Sequence, residues 1–63
     1  MPIVTVQQSP RDLEAKRRLV AGVTQAFVEA YGISPAQVQV FIAEFDGEHW
    51  AKDGRLAGED RPG

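Results

Sequence analysis

Apolar and β-branched residues predict two strands, one near each side of a long central segment. The first strand covers Ile3-Val4-Thr5-Val6-Gln7-Gln8, which is rich in strand-forming residues and is ended by Ser9-Pro10. The second strand covers Val38 to Phe45, and apolar residues occur on both of its faces. One face carries Val38, Val40 and Ile42, and the other carries Phe41, Ala43 and Phe45. Both faces of this strand therefore need to be covered.

Between the strands, apolar side chains recur every three or four positions, which predicts an amphipathic helix over residues 12–31. The apolar stripe consists of Leu19, Val20, Val23, Ala26, Phe27, Ala30 and Tyr31. Two N-terminal caps are possible, Asp12 or Ser9 followed by Pro10 at the first helical position. Gly32 suits the left-handed residue that ends a helix.

The order strand, helix, strand predicts a β-α-β unit with parallel strands. A helix of about 19 residues rises roughly 28 Å, which is close to the span of an eight-residue strand, so the chain returns to its starting edge through a right-handed crossover. Asp53-Gly54 predicts a type I′ turn in a small C-terminal hairpin. Residues 34–37 predict a single turn, and residues 58–63 are expected to be poorly ordered unless they dock. The fold class is thus α/β (α+β), in a single domain over residues 1–63.

The small size of the chain predicts self-association. With 63 residues, no cysteine and one histidine, the chain has neither disulfides nor a Cys/His zinc site to stabilise a small core. A domain of this length buries only about 60% of its unfolded surface. Because one helix covers only one face of the second strand, we expect a second copy of the chain to cover the other face through a shared sheet.

Charge and hydropathy exclude several classes of partner. The net charge is −2, with seven Lys and Arg against nine Asp and Glu, which argues against a nucleic-acid partner. The apolar runs are far shorter than the roughly 20 residues that cross a bilayer, and the N-terminus has no signal-peptide pattern. We therefore expect a cytoplasmic protein with no membrane partner.

Pro2 is the first residue that suggests chemistry. Removal of an initiator methionine before a small second residue would leave proline with a free secondary amine. An ordinary α-amino group has a pKa of about 8, and apolar surroundings lower that pKa. The amine can therefore be neutral and act as a general base near pH 7. While Met1 remains attached, the same nitrogen is an amide and is not basic.

The chain resembles the 4-oxalocrotonate tautomerase family over nearly its whole length. The resemblance is carried, in this order, by Pro2-Ile3-Val4, Arg11, Lys16, Val38-x-Val40-x-Ile42-x-Glu44, His49-Trp50 and Gly54-x-Leu56-Ala57. It implies a tautomerase-like β-α-β subunit, dimers that share a four-stranded sheet, usually three dimers in a hexamer, and an N-terminal proline that transfers a proton in keto-enol tautomerisation. It implies no metal and no organic cofactor.

The resemblance also implies roles for four residues. Pro2 matches the base, Arg11 matches an arginine that binds a substrate carboxylate, and Trp50 matches an aromatic residue that walls the pocket. Gln39 departs from the family, whose type enzyme has a second arginine there, and glutamine donates hydrogen bonds without neutralising charge. We therefore expect a small substrate with one carboxylate. Lys52 and Arg55 are possible substitute cations.

Two other functions remain open. The chain could be a non-catalytic oligomeric module that binds small molecules with the same fold, or a relative of the enzymes that add water to halogenated acrylates. Those relatives use a pair of arginines near the first loop, and only Arg11 is present here. His49 is expected to be a packing or surface residue, and Glu44 and Glu48 receive no role.

Overall fold

The computed structural model describes residues 1–60 and contains one long helix, two long strands and a short hairpin. In chain order the elements are β1 (Ile3–Gln8), α1 (Leu13–Tyr31), β2 (Gln39–Glu44), β3 (Ala51–Lys52) and β4 (Arg55–Leu56). Short 3₁₀ helices cover Pro35–Gln37 and Ala57–Asp60. Within residues 1–60, no helix is both long enough and apolar enough to cross a membrane.

Strands β1 and β2 form a parallel pair whose register sets the geometry of the sheet. Ile3 lies opposite Gln39, and Gln8 lies opposite Glu44, so both strands begin at one end and finish at the other. Helix α1 connects them, while β3 and β4 pair antiparallel in a separate hairpin. The predicted fold class, a β-α-β unit with a C-terminal hairpin, is confirmed.

Local interactions fix both ends of α1. Of the two possible N-terminal caps, Asp12 is the one used, and its carboxylate accepts a hydrogen bond from the Ala15 amide at 3.2 Å. At the other end, Gly32 adopts a left-handed φ of 65°, and its amide donates to the Val28 carbonyl at 2.9 Å. The predicted helix differs from the observed one only in including its own N-cap.

The C-terminal hairpin turns at Asp53 and Gly54, whose φ angles of 56° and 79° are those of a type I′ turn. After the hairpin, the chain continues into the 3₁₀ helix. The Gly58 amide donates to the Gly47 carbonyl at 3.1 Å, so the start of the segment that we expected to be poorly ordered unless it docks does contact another part of the chain. The part of that expectation concerning residues 61–63 lies outside the described residues.

The β1–β2 sheet has one covered face and one open face. Val4, Val6, Val40 and Ile42 alternate onto the face beneath α1 and are half-buried. On the opposite face, Ile3 is 62% exposed and Phe41 is 56% exposed.

The molecule is also thin, and as a consequence no residue whose burial the structure describes is fully buried. Its radius of gyration is 15.4 Å, whereas a globular domain of this length has a radius near ~11 Å. A single copy thus lacks a closed hydrophobic core.

Candidate active site

Pro2 and Gln39 lie together at the amino end of the sheet. The Gln39 amide donates to the Pro2 carbonyl at 3.1 Å, because Gln39 begins β2 beside the start of β1. The Gln39 side-chain Nε2 lies 3.1 Å from Met1 Sδ. Gln39 therefore presents a hydrogen-bond donor close to the chain's N-terminus.

Arg11 lies at the opposite end of the sheet, in the segment between β1 and α1. Its backbone amide donates to Glu44 Oε2 at 3.0 Å, across the end of β2. Arg11 is exposed and lines a small surface cavity of about 210 Å³. That cavity is also lined by Gln8, Ala15, Lys16 and Leu19. The carboxyl ends of both strands and the start of α1 thus position Arg11.

Glu44, to which the sequence analysis gave no role, is the centre of the polar contacts at this end. Its Oε2 also lies 3.2 Å from Lys16 Nζ and 3.5 Å from Gln8 Nε2. The hydrogen bond from the Arg11 amide, followed by that from Lys16, holds the pKa of Glu44 below its ordinary value. Strand alternation could have indicated this, since Glu44 falls on the same face as Val40 and Ile42, beneath the helix.

Trp50 lies between the end of β2 and the hairpin and is 46% exposed. It lines a cavity of about 410 Å³ beside the open face of the sheet. The other residues of that cavity are Gln7, Gln8, Phe45, His49 and Ala51, none of which was predicted as a site residue. Trp50 thus forms one wall of a concave surface, as an aromatic pocket residue would.

His49 is held by Asp46, its neighbour in the loop before the hairpin. His49 Nδ1 lies 2.5 Å from Asp46 Oδ1, and both side chains are more than half exposed. The hydrogen bond from His49 is the main reason that the pKa of Asp46 lies below its ordinary value. The expectation that His49 is a surface residue agrees with this exposure.

The four predicted site residues therefore form two separate groups. Pro2 and Gln39 lie before β1 and at the start of β2, whereas Arg11 and Trp50 follow the ends of those strands. Six residues of strand span about 20 Å, which is longer than a small organic acid. One copy of the chain cannot bring all four side chains to one substrate.

The remaining polar residues give no sign of a metal centre. Lys52 and Arg55 face each other across the hairpin, next to the Asp53-Gly54 turn. Within residues 1–59, whose side chains the structure describes, no group of three or more His, Asp or Glu side chains could hold a metal ion.

Known proteins are similar to this chain in both sequence and fold. The family model described as tautomerase enzyme matches residues 2–59. The 2-hydroxymuconate tautomerase of Bacillus subtilis is 43% identical over 56 residues, covering 87% of this chain and 90% of that protein. The crystal structure of a homologue of 4-oxalocrotonate tautomerase has a TM-score of 0.85 and 38% identity, covering 95% of this chain and 100% of its own.

A more distant structural neighbour supports the fold alone. It is a heterohexameric 4-oxalocrotonate tautomerase from Chloroflexus aurantiacus, with a TM-score of 0.78, 24% identity, and coverage of 97% of this chain and 98% of its own. The match to the family model spans nearly all of the described residues and includes both ends of the sheet. The chain belongs to the tautomerase family of enzymes, in its 4-oxalocrotonate tautomerase group.

Proposed function

We propose that this protein catalyses keto-enol tautomerisation of a small acid with Pro2 as the general base. After removal of Met1, the Pro2 nitrogen would take a proton from an enol hydroxyl, or from the carbon next to a carbonyl, and return it to a conjugated carbon. The observation that carries this proposal is the placement of Gln39 beside the N-terminus, together with membership of the tautomerase family. Loss of Met1 would also release Gln39 Nε2 from Met1 Sδ.

Arg11 and Gln39 would divide the recognition of the substrate. The Arg11 guanidinium would form a bidentate pair with the substrate carboxylate. The Gln39 amide would donate a hydrogen bond to the oxygen on which charge develops. Because Gln39 is neutral, a second carboxylate would be left without a cation, so the substrate would carry one carboxylate.

Assembly would bring these groups together. The amino end of one sheet, with Pro2 and Gln39, would meet the end of another sheet that carries Arg11 and Trp50. The exposed apolar face around Ile3 and Phe41 supports such packing, since apolar area of this kind is stabilised by burial. We place the protein in a homo-oligomer, with a hexamer as the expected state, and the cytoplasmic location stays a prediction.

A second function follows if Met1 is retained. The Pro2 nitrogen is then an amide, and the contact between Gln39 Nε2 and Met1 Sδ remains in place. Such a protein would bind small carboxylates without chemistry. Mass spectrometry of the protein purified from its own cells separates the two functions, because a free proline supports the enzyme and a retained methionine supports the binding module.

The role of Pro2 is tested by turnover of phenylenolpyruvate, which carries one carboxylate. Pro2→Ala keeps a terminal amine but makes it primary and less constrained, so kcat should fall by roughly 10²-fold, within the range of general base catalysis. The matched control is the wild-type sequence produced with Met1 retained, which should be inactive. Full activity in the processed Pro2→Ala protein would exclude Pro2 as the base.

A further inference from the structure

Arg11 lies on a short segment that makes few hydrogen bonds to the rest of the chain. The segment lies between the end of β1 and the start of α1, and it includes Pro10, which has no amide hydrogen. The Asp12 side chain is already used to cap the helix. Across the sheet, the Arg11 amide is tied to β2 by its 3.0 Å hydrogen bond to Glu44 Oε2.

Glu44 is itself held from several directions. It ends β2 opposite Gln8, and its Oε2 lies 3.2 Å from Lys16 Nζ on the first turns of α1. One carboxylate oxygen thus joins the end of the sheet, the start of the helix and the backbone of Arg11. The Arg11 guanidinium, by contrast, has no hydrogen-bond or ion-pair partner among the side chains of residues 1–59.

We propose that Glu44 is a positioning residue for substrate binding: by accepting the Arg11 amide hydrogen bond, it sets where the Arg11 guanidinium meets the substrate carboxylate. This inference rests on the role proposed above for Arg11. The proposed role predicts weaker substrate binding when the Glu44 hydrogen bond is lost, whereas simple electrostatics predicts stronger binding when its charge is lost. A negative charge near an anion-binding site weakens anion binding, so loss of Glu44 would strengthen binding unless the carboxylate acts through geometry.

Two substitutions separate geometry from charge. Glu44→Gln removes the charge but keeps an oxygen, Oε1, at the same reach as an acceptor for the Arg11 amide. Glu44→Asp keeps the charge but is shorter by one methylene group. The matched control is Glu14→Asp, the same shortening at an exposed carboxylate in the first turn of α1.

The expected result is a specific rise in KM for phenylenolpyruvate. Glu44→Asp should raise KM about tenfold with kcat within about twofold, because a misplaced anchor weakens binding but leaves the proton transfer intact. Glu44→Gln and Glu14→Asp should both stay within about twofold of wild type in KM. Amide hydrogen exchange at Arg11 should accelerate in Glu44→Asp and remain slow in Glu44→Gln, which tests the hydrogen bond itself.

A double variant tests whether the effect passes through Arg11. In Arg11→Ala, KM should already be high, and adding Glu44→Asp should change it by less than about twofold. A Glu44→Asp protein with wild-type KM would overturn the proposal. So would a Glu44→Gln protein whose KM rises as much as that of Glu44→Asp, because an acceptor at the same reach would then not be sufficient to position Arg11.

Binding of 3-phenylpropanoate distinguishes failure of this inference from failure of the proposed function. This monocarboxylate cannot tautomerise, and its dissociation constant is measured by NMR titration of each assembled variant. If wild type binds it but does not turn over phenylenolpyruvate, the tautomerase proposal fails. In that case, the positioning role of Glu44 is still supported if the dissociation constant rises in Glu44→Asp but not in Glu44→Gln or Glu14→Asp. Equal dissociation constants for all variants overturn that role.

Discussion

Among single residues, we expect Gln39 to set how much negative charge the site can accept. Its Nε2 lies near the N-terminus and donates a hydrogen bond, but it brings no positive charge. Arg11, at the other end of the sheet, would pair with one carboxylate. A second carboxylate would have to leave water without a partner, which is costly for a charged group.

We therefore expect wild type to prefer a monocarboxylate enol to the matching dicarboxylate, measured as kcat/KM. Gln39→Arg should raise kcat/KM for 2-hydroxymuconate about tenfold relative to phenylenolpyruvate, because a guanidinium can pair with the second carboxylate. Gln25→Arg adds the same charge on the exposed surface of α1 and should leave the ratio unchanged. A wild-type preference for the dicarboxylate that disappears in Lys52→Ala or Arg55→Ala would contradict this argument.

Glu44 also predicts how stability depends on pH. Its pKa is lowered in the folded protein by the Arg11 amide and by Lys16, so its carboxylate form stabilises the fold. The sign follows directly: this contribution is complete above the ordinary glutamate pKa of about 4.3 and is lost as pH falls through the lower folded value. Comparing wild type with Glu44→Gln isolates it from the other carboxylates.

The measurement is urea unfolding at fixed protein concentration between pH 7 and pH 3, which keeps the contribution of assembly constant. Wild type should be more stable than Glu44→Gln at neutral pH, and the difference should shrink once the pH falls below about 4.3. A difference that stays constant down to pH 3 would show that the Glu44 contacts add no net stabilisation through charge.

At the scale of elements, the hairpin is held against the loop before it by a close approach of two glycines. The Gly58 amide donates to the Gly47 carbonyl at 3.1 Å. A Cβ atom added to Gly47 would lie 2.7 Å from the Gly58 nitrogen, which is too close for a backbone atom that cannot move away. Trp50 lies between these two residues in the chain and contributes to the cavity beside them.

Gly47→Ala should therefore lower the free energy of unfolding by about 1–3 kcal/mol, the usual cost of forcing extra volume into a packed contact. Gly22 provides the matched control because it lies inside α1 with no atom within 4 Å of an added Cβ. Gly22→Ala should raise the free energy of unfolding by about 1 kcal/mol through helix propensity. Urea unfolding of both variants is the test, and equal effects would refute the close-contact argument.

The elements could be predicted from sequence because local chemistry determines them. The Asp12 cap, the Gly32 end and the Asp53-Gly54 turn all depend on neighbours within a few residues, and the apolar period locates α1. The Gly47–Gly58 contact could not be predicted in this way, since it joins residues that have no shared pattern. The same backbone contact joins the chain after β4 to the loop before the hairpin.

The residues of the candidate site and the separation of its two groups were predictable, but its polar contacts were not. The identities of Pro2, Arg11, Gln39 and Trp50 as candidates came from the resemblance to the tautomerase family, and their roles stay predictions. Parallel strands already place Pro2 before one end of the sheet and Arg11 after the other, so their separation follows from the predicted topology. The contact of Glu44 with the Arg11 amide required coordinates, because a backbone donor leaves no pattern in the sequence.

For the whole molecule, one copy lacks a closed hydrophobic core and keeps the two groups of candidate site residues apart. No residue in the range 1–59 is fully buried, and the open sheet face leaves Ile3 and Phe41 more than half exposed. The two groups of candidate site residues are separated by the length of the strands. Both observations have one physical remedy, in which further copies bury the open face and bring opposite ends of neighbouring sheets together.

Phe41→Glu tests this assembly because it places a charge in the middle of the open face. Burying that charge without a partner costs several kcal/mol, so the variant should dissociate, unfold and lose activity together. Leu13→Glu is the matched control, since Leu13 is 61% exposed at the start of α1 and is not on the open face. Sedimentation at micromolar concentration should show a hexamer for wild type and Leu13→Glu. A folded, active 6.9 kDa species in either wild type or Phe41→Glu would refute the assembled site, because one copy would then be sufficient for both folding and catalysis.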